Sequence, residues 1–310
     1  MKKWLTNPIS ASLLACLCCL LWGSAFPVIK ISYTLLSIAA DDSKSQILFA
    51  GIRFALAGLL TIIFGSIISK KVLKIKKSGI YKIPCLSLFQ TILQYLFFYI
   101  GLANTTATKS SILDSVSVFF SVIIASIILR QEHLNFKKII GCILGFAGVV
   151  IINLSNGTLD GGFKLNGEGF ILLSALSYSV STVMIKRFSV DDNPVALSGY
   201  QFTLGGIIMM IIGFALGGKI YFNSFVSVLL LLYLSLLSAA AYTLWGLLLK
   251  FNDVSKISVY GFMIPVFGCL LSVIILKESI ADNALPTIIS LVLVSAGIYI
   301  VNMKSKSRTL

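Results

Sequence analysis

Charge is what this sequence of 310 residues has least of. Asp, Glu, Lys and Arg together make up 12%, about half their share in a soluble protein. So few charges cannot cover the surface of a water-soluble chain of this length, which excludes a soluble enzyme or a pair of soluble domains. Acidic residues are scarcer still, 11 against 25 Lys+Arg. The single histidine, His133, sits beside Glu132 in a basic loop, so the apolar segments hold neither a His-based catalytic triad nor a zinc site. The six cysteines (Cys16, Cys18, Cys19, Cys85, Cys142 and Cys269) all fall inside apolar runs without paired ligand spacing, and they read as small core hydrophobes. No G-x-x-x-x-G-K-[ST] loop occurs, so nucleotide-driven work is not expected. Nothing in the pattern points to a cofactor or a metal.

What the sequence has instead is apolar length: 57% hydrophobic residues and a mean hydropathy of +0.99. A helix needs about 20 apolar residues to cross a bilayer. Ten runs qualify, at about 9–29, 46–69, 83–103, 110–129, 139–154, 169–185, 194–217, 225–249, 257–276 and 283–303. Eight carry no charge; the exceptions are Arg53 in span two and Asp114 in span four. The runs are continuous rather than alternating, which excludes a membrane β-barrel. Lys2-Lys3 ahead of an apolar stretch, with Leu13-Leu14-Ala15-Cys16, resembles a cleavable leader. The run continues to Ile29, so span one is expected to be retained.

Lysine placement sets the orientation. With the N-terminus inside, 18 of the 25 basic residues fall in cytoplasmic segments, above all Lys70, Lys71, Lys74, Lys76, Lys77 and Lys82. The whole excess charge then lies on one face. That is a topology signal, reinforced by anionic lipid at the cytoplasmic leaflet, and not the footprint of a nucleic-acid binder. The expectation is a multi-pass protein of the cytoplasmic membrane with both termini cytoplasmic.

The two halves resemble each other in register. Gly51-Ile52-Arg53-Phe54-Ala55-Leu56-Ala57-Gly58 aligns with Gly199-Tyr200-Gln201-Phe202-Thr203-Leu204-Gly205-Gly206. Tyr95 through Leu129 aligns with Tyr242 through Leu276 at constant offset, and Ala147-Gly148-Val149 with Ala296-Gly297-Ile298. The chain therefore divides into five-helix repeats at 1–155 and 156–310. Five is odd, so the second repeat enters the membrane inverted, as in secondary transporters. The fold class is an all-α membrane protein of ten transmembrane helices in two inverted repeats.

Trp22-Gly23-Ser24-Ala25-Phe26 with Lys30, Arg53-Phe54, and Glu132 with Gly141 and Gly148 resemble the ten-helix, EamA-like branch of the drug/metabolite transporter superfamily. Pro265, Lys277-Glu278 and Gly297 repeat the pattern in the second half. The resemblance covers about 9–303. The proline usual midway along span four is Val118 here, while Pro265 fills its counterpart place. The resemblance implies a central cavity lined by spans one, three, four, six, eight and nine.

Aromatic pairs at helical spacing are the candidate lining. Trp22 and Phe26, Tyr95 and Tyr99, and Tyr242 and Trp245 each share a helix face. Tyr95 and Tyr242 are repeat counterparts, as are Trp22 and Tyr178, and Tyr260 lies on span nine. The alternative is packing or an interfacial aromatic belt. Gly141-x-x-x-Gly145 reads as a helix-packing motif and a possible homodimer face. Glu132 and Glu278 are placed at helix ends, in a structural or gating role. Charges at membrane depth face a cavity or a partner. Asp114 is thus a proton-coupling carboxylate, the structural ion-pair partner of Arg53 or a plain helix-start residue near the outer surface.

The reading is a carrier of a small organic metabolite, such as an amino acid or related compound, exported by alternating access. Two alternatives stay open. One is an importer of nucleoside- or cofactor-like solutes. The other is a membrane-embedded enzyme acting on lipid-linked substrates, for which one Asp and one Arg within the spans are too few. The orientation is testable by cysteine labelling of intact cells. A cysteine at position 43 or 160 is expected to react from outside and one at position 76 only after permeabilisation; reaction at 76 in sealed cells reverses the assignment.

Overall fold

The computed structural model describes residues 2–76, 79–105, 107–154, 163–276 and 284–303. Ten helices long and apolar enough to span a membrane are found there, and no strand occurs among the described residues. They are α1 (Pro8–Leu35), α2 (Ser43–Ser69), α3 (Lys82–Asn104), α4 (Lys109–Ile128) and α5 (Phe136–Leu154) in the first half. The second half holds α6 (Leu165–Phe188), α7 (Pro194–Ala215), α8 (Phe225–Phe251), α9 (Val254–Ile275) and α10 (Leu285–Asn302). The expected repeat boundary at 155 and the helix-end residue Glu278 lie outside the described residues.

In hydrocarbon every backbone group must be satisfied within the chain, which is why apolar runs become helices. Their starts are marked by capping side chains. Asn7 accepts from the backbone N–H of Ile9 at 2.9 Å ahead of Pro8, and Asn193 repeats this with Val195 at 3.0 Å ahead of Pro194. Both pairs put a capping oxygen before a proline at the first helical position. α1 outruns its sequence estimate by a turn and a half, because Ser32 and Thr34 return their hydroxyls to the carbonyls of Val28 and Lys30.

Two glycine seams join the halves. α2 packs on α7 and α5 on α10, the two most extensive helix pairs. A Cβ on Gly58 would stand 2.6 Å from the Gly199 carbonyl oxygen, and one on Gly206 would stand 2.8 Å from that of Gly51. Gly58 and Gly206 are repeat counterparts, as are Gly51 and Gly199, so the contact is reciprocal about a pseudo-two-fold axis. Gly141 likewise meets the Gly297 carbonyl and Gly148 that of Ser290, at 2.6 and 2.9 Å. The Gly141-x-x-x-Gly145 motif is thus occupied inside the chain.

α4 and α9 are interrupted at corresponding places. α4 is interrupted at Val116, between Ser115 and Ser117, where the backbone N–H reaches back three residues to the Leu113 carbonyl at 3.1 Å, while α9 tightens to a 3-10 turn over Val259–Phe262. Pro265 lies just beyond the second break; the first forms without a proline. The two broken segments touch, and a Cβ on Gly261 would stand 3.3 Å from Val118. Interrupted spans at a repeat interface are a feature of transporter sites.

Polar contacts sort the loops onto two ends. At one end Lys82, 5% exposed, bonds Asp192 at 2.7 Å, and the Lys186 ammonium donates to the carbonyl of Leu249 at 3.1 Å. Asn252 there donates to the carbonyl of Leu5. At the other end Lys109 pairs with Glu168 at 3.0 Å, and the backbone N–H of Lys219 donates to Ser45. Successive loops among the described residues therefore alternate between ends.

The seams predict opposite outcomes for two equivalent-looking substitutions. Gly206→Ala drives a methyl into the Ala55 backbone and is expected to destabilise by about 1–3 kcal/mol, the usual penalty of overpacking. Gly246→Ala finds its nearest neighbour, Pro194, at 3.4 Å and is expected to be neutral or stabilising. Thermal unfolding in detergent compares the two.

Candidate functional site

The aromatic residues gather where α1, α2, α3, α6, α7 and α8 converge. Trp22 on α1 meets Tyr242 and Trp245 of α8 edge to face, with centroids 5.0 and 5.1 Å away. Tyr242 meets Phe202 of α7 at 4.7 Å, Phe202 stacks on Phe54 of α2 at 5.3 Å, and Phe54 meets Tyr95 of α3 at 4.4 Å. Tyr95 and Tyr99 lie 6.1 Å apart. The chain of rings closes through a hydrogen bond of 2.8 Å between the Tyr95 and Tyr242 hydroxyls. Edge-to-face pairs of this kind orient rings as well as burying them.

The cluster is symmetric in sequence as well as in space. Tyr95 and Tyr242, Phe54 and Phe202, and Trp22 and Tyr178 are repeat counterparts, and Tyr178 packs against the same cluster. Phe54 and Phe202 are not among the sequence candidates, although they stand opposite each other in the repeat alignment. That alignment was the signal for them. Trp22 touches all three apolar clusters of the bundle. It keeps some accessible surface while its indole nitrogen is buried.

Two aromatic residues stand elsewhere. Phe26 shares a helix face with Trp22, but it is 47% exposed and lies over Gly268 of α9, outside the ring cluster. Tyr260 is buried in a different cluster from Tyr95 and Tyr242, where its hydroxyl donates to Ser12 at the start of α1. It fastens α9 to α1. The first separation follows from Gly268, which opens a slot on α9 for the Phe26 ring; the second follows from the 3-10 turn that carries Tyr260.

The ion pair expected between Arg53 and Asp114 does not form. Among the described residues neither charge makes a salt bridge. Equal depth was not enough, because α2 packs on α7 whereas α4 packs on α5, α6 and α9. The Arg53 guanidinium, 4% exposed, lies 4.6 Å from the centre of the Phe54 ring. Asp114, half-buried, stands just before the α4 break.

Glu132 does hold helix ends together. Its carboxylate accepts from the backbone N–H of Ser255 at 3.1 Å, at the start of α9, and pairs with Lys138 of α5 at 3.4 Å. One acid thus ties the end of α4 to the starts of α5 and α9, and it also favours the positive end of the α9 helix dipole. His133 is exposed and lends only its carbonyl, to Lys138.

Ten spans, a doubled five-helix pattern, interrupted α4 and α9 and an aromatic centre between the halves define a class, and sequence comparison agrees. The chain belongs to the EamA-like transporter family, whose profile matches residues 9–154 and again 165–303. An uncharacterized transporter of Archaeoglobus fulgidus is 28% identical over 98% of this chain and 100% of its own length. Another from that organism is 30% identical, over 94% and 97%. An uncharacterized transporter of Bacillus subtilis, YvbV, is 29% identical over 99% of this chain and 95% of its own. A solved crystal structure superposes with a TM-score of 0.77 at 17% identity, covering 96% of this chain and 97% of that one, a likeness of fold. The protein is a multi-pass membrane protein of a transporter family.

Proposed function

We propose that the protein is a secondary transporter that exports a small organic metabolite, an amino acid or related compound, across the cytoplasmic membrane. The observation that carries this reading is the Tyr95–Tyr242 hydrogen bond. It joins repeat-related residues of the two halves at the centre of the aromatic cluster. Alternating access needs such a contact: closed, it separates the two membrane faces; broken, it opens one path. The glycine seams supply surfaces on which one half rocks against the other, and the breaks in α4 and α9 let those spans bend. The basic end faces the cytoplasm in this reading, where Lys and Arg meet anionic lipid.

The experiment is uptake and efflux of a labelled metabolite panel by vesicles containing the pure protein, with Tyr95→Ala and Tyr242→Ala alongside the native chain. Both substitutions are expected to cut transport by about tenfold or more while leaving the amount of folded protein in the membrane unchanged. Normal transport by both removes the site from this position.

Asp114 serves as the coupling carboxylate in this reading, since no cation pairs with it among the described residues and it stands just before the α4 break. Exchange of a proton for solute at one acid couples the two fluxes. Asp114→Asn is then expected to abolish accumulation driven by a pH gradient while keeping solute exchange at equilibrium. Normal pH-driven accumulation by this variant eliminates the coupling role.

A further inference from the structure

Arg53 is the most conspicuous polar group in the bundle that the aromatic site leaves unused. It is 4% exposed, no hydrogen bond or salt bridge to a described residue satisfies it, and its Nε–H is buried without an acceptor. A buried guanidinium in an apolar bundle is costly unless something pairs with it. The repeat counterpart answers the same question differently. Gln201 occupies the equivalent place on α7, fully buried, and is satisfied: its amide oxygen accepts from Thr91 at 2.8 Å, and its amide nitrogen donates to Gln90 at 3.0 Å. One half carries a neutral, sated amide where the other carries an unsated cation.

Other buried polar groups of the bundle are unpaired too, the amide oxygen of Gln94 and the hydroxyl of Tyr33 among them. The indole N–H groups of Trp22 and Trp245 are also buried without acceptors, on rings 5.1 Å apart. Trp22 packs against the cluster that contains Phe54 and Tyr95. Two buried N–H donors without acceptors, one of them charged, thus lie against this cluster, and a third lies on the Trp245 ring that meets Trp22 from the neighbouring cluster. Polar groups buried in this way are normally satisfied. One guanidinium matches one carboxylate in charge.

We infer that Arg53 receives the carboxylate of the transported solute, an inference that rests on the transporter reading above. Two carboxylate oxygens match the planar fork of a guanidinium. The rings of Phe54, Tyr95 and Tyr242 take up the apolar body of the solute. Selection then acts first on the acid group: a solute lacking it leaves Arg53 unpaired, and discrimination by an unmet buried polar group is steep.

The test compares acids with their own primary amides. L-alanine, L-leucine, L-phenylalanine, L-tryptophan and phenylacetate, each with its amide, are titrated against the native protein in detergent, reading thermal unfolding and tryptophan fluorescence. At least one acid is expected to bind, and its amide to bind at least tenfold more weakly, the loss of one charge-assisted hydrogen bond. Arg53→Gln, which installs the residue found at the counterpart position, is expected to lose at least tenfold in affinity for that acid and little for the amide. Arg53→Lys, which keeps the charge without the fork, is expected to fall between them. Equal binding of acid and amide, failure of every acid to bind, or undiminished acid binding by Arg53→Gln overturns the assignment. The acid–amide comparison needs no variant, so misfolding of one does not rescue or sink it. Vesicle counterflow separates this outcome from the parent reading. Neutral solutes moved equally by the native chain and Arg53→Gln leave a transporter without a carboxylate site, whereas movement of no solute removes the transporter reading itself.

Discussion

The close approach of backbones at the two glycine seams is the constraint on which the rest of this structure depends. Lipid gives no hydrophobic reason for one apolar helix to prefer another, so association in a bilayer rests on dispersion contact and on how near the axes can come. Gly51, Gly58, Gly199 and Gly206 let α2 and α7 touch through their main chains. Gly141, Gly148 and Gly297 do the same for α5 and α10. Each seam pairs a helix with its own repeat counterpart, so both lie on the pseudo-two-fold axis. Once these pairs are set, the other helices have little freedom about which neighbours they meet.

The aromatic centre follows from that arrangement. With α2 against α7, Phe54 and Phe202 are brought face to face, and the counterpart helices α3 and α8 lay Tyr95 and Tyr242 across them. A symmetric frame thus gives a nearly symmetric site, and the departures from symmetry are where the chemistry lies. Arg53 against Gln201 and Asp114 against Gly261 put a charge of each sign in the first half and none at the matching places of the second. The ends of the bundle are treated differently. Polar groups there are closed off by local pairs, Lys82 with Asp192 and Glu132 with Lys138 and the start of α9, which fasten loops rather than face the centre.

Much of this was legible in the residues. The ten spans and the doubling rest on length, composition and register, which act through the bilayer thickness and need no partner helix. The pairing of Tyr95 with Tyr242 was also readable, because repeat-related positions lie near each other whenever an axis passes between the halves. What failed was inference from one helix at a time. Phe26 follows Trp22 by four residues, yet only Trp22 turns into the cluster, since Gly268 offers Phe26 a slot on another helix. Arg53 and Asp114 share a depth but belong to helices that pack on different neighbours, so depth alone joined them wrongly.

By itself, then, the sequence determined how many times the chain crosses the membrane, that its halves are copies, and which residues are too polar to face lipid without a reason. It did so because burial of apolar length and satisfaction of backbone groups are properties of each segment alone. Which side of each helix looks inward follows from how the helices pack on one another. A span that is apolar all round carries no periodic signal of its inner face. That choice falls to small residues on neighbouring helices, whose contacts leave Trp22, Phe54, Tyr95, Phe202 and Tyr242 together and leave Arg53 among them without an acid.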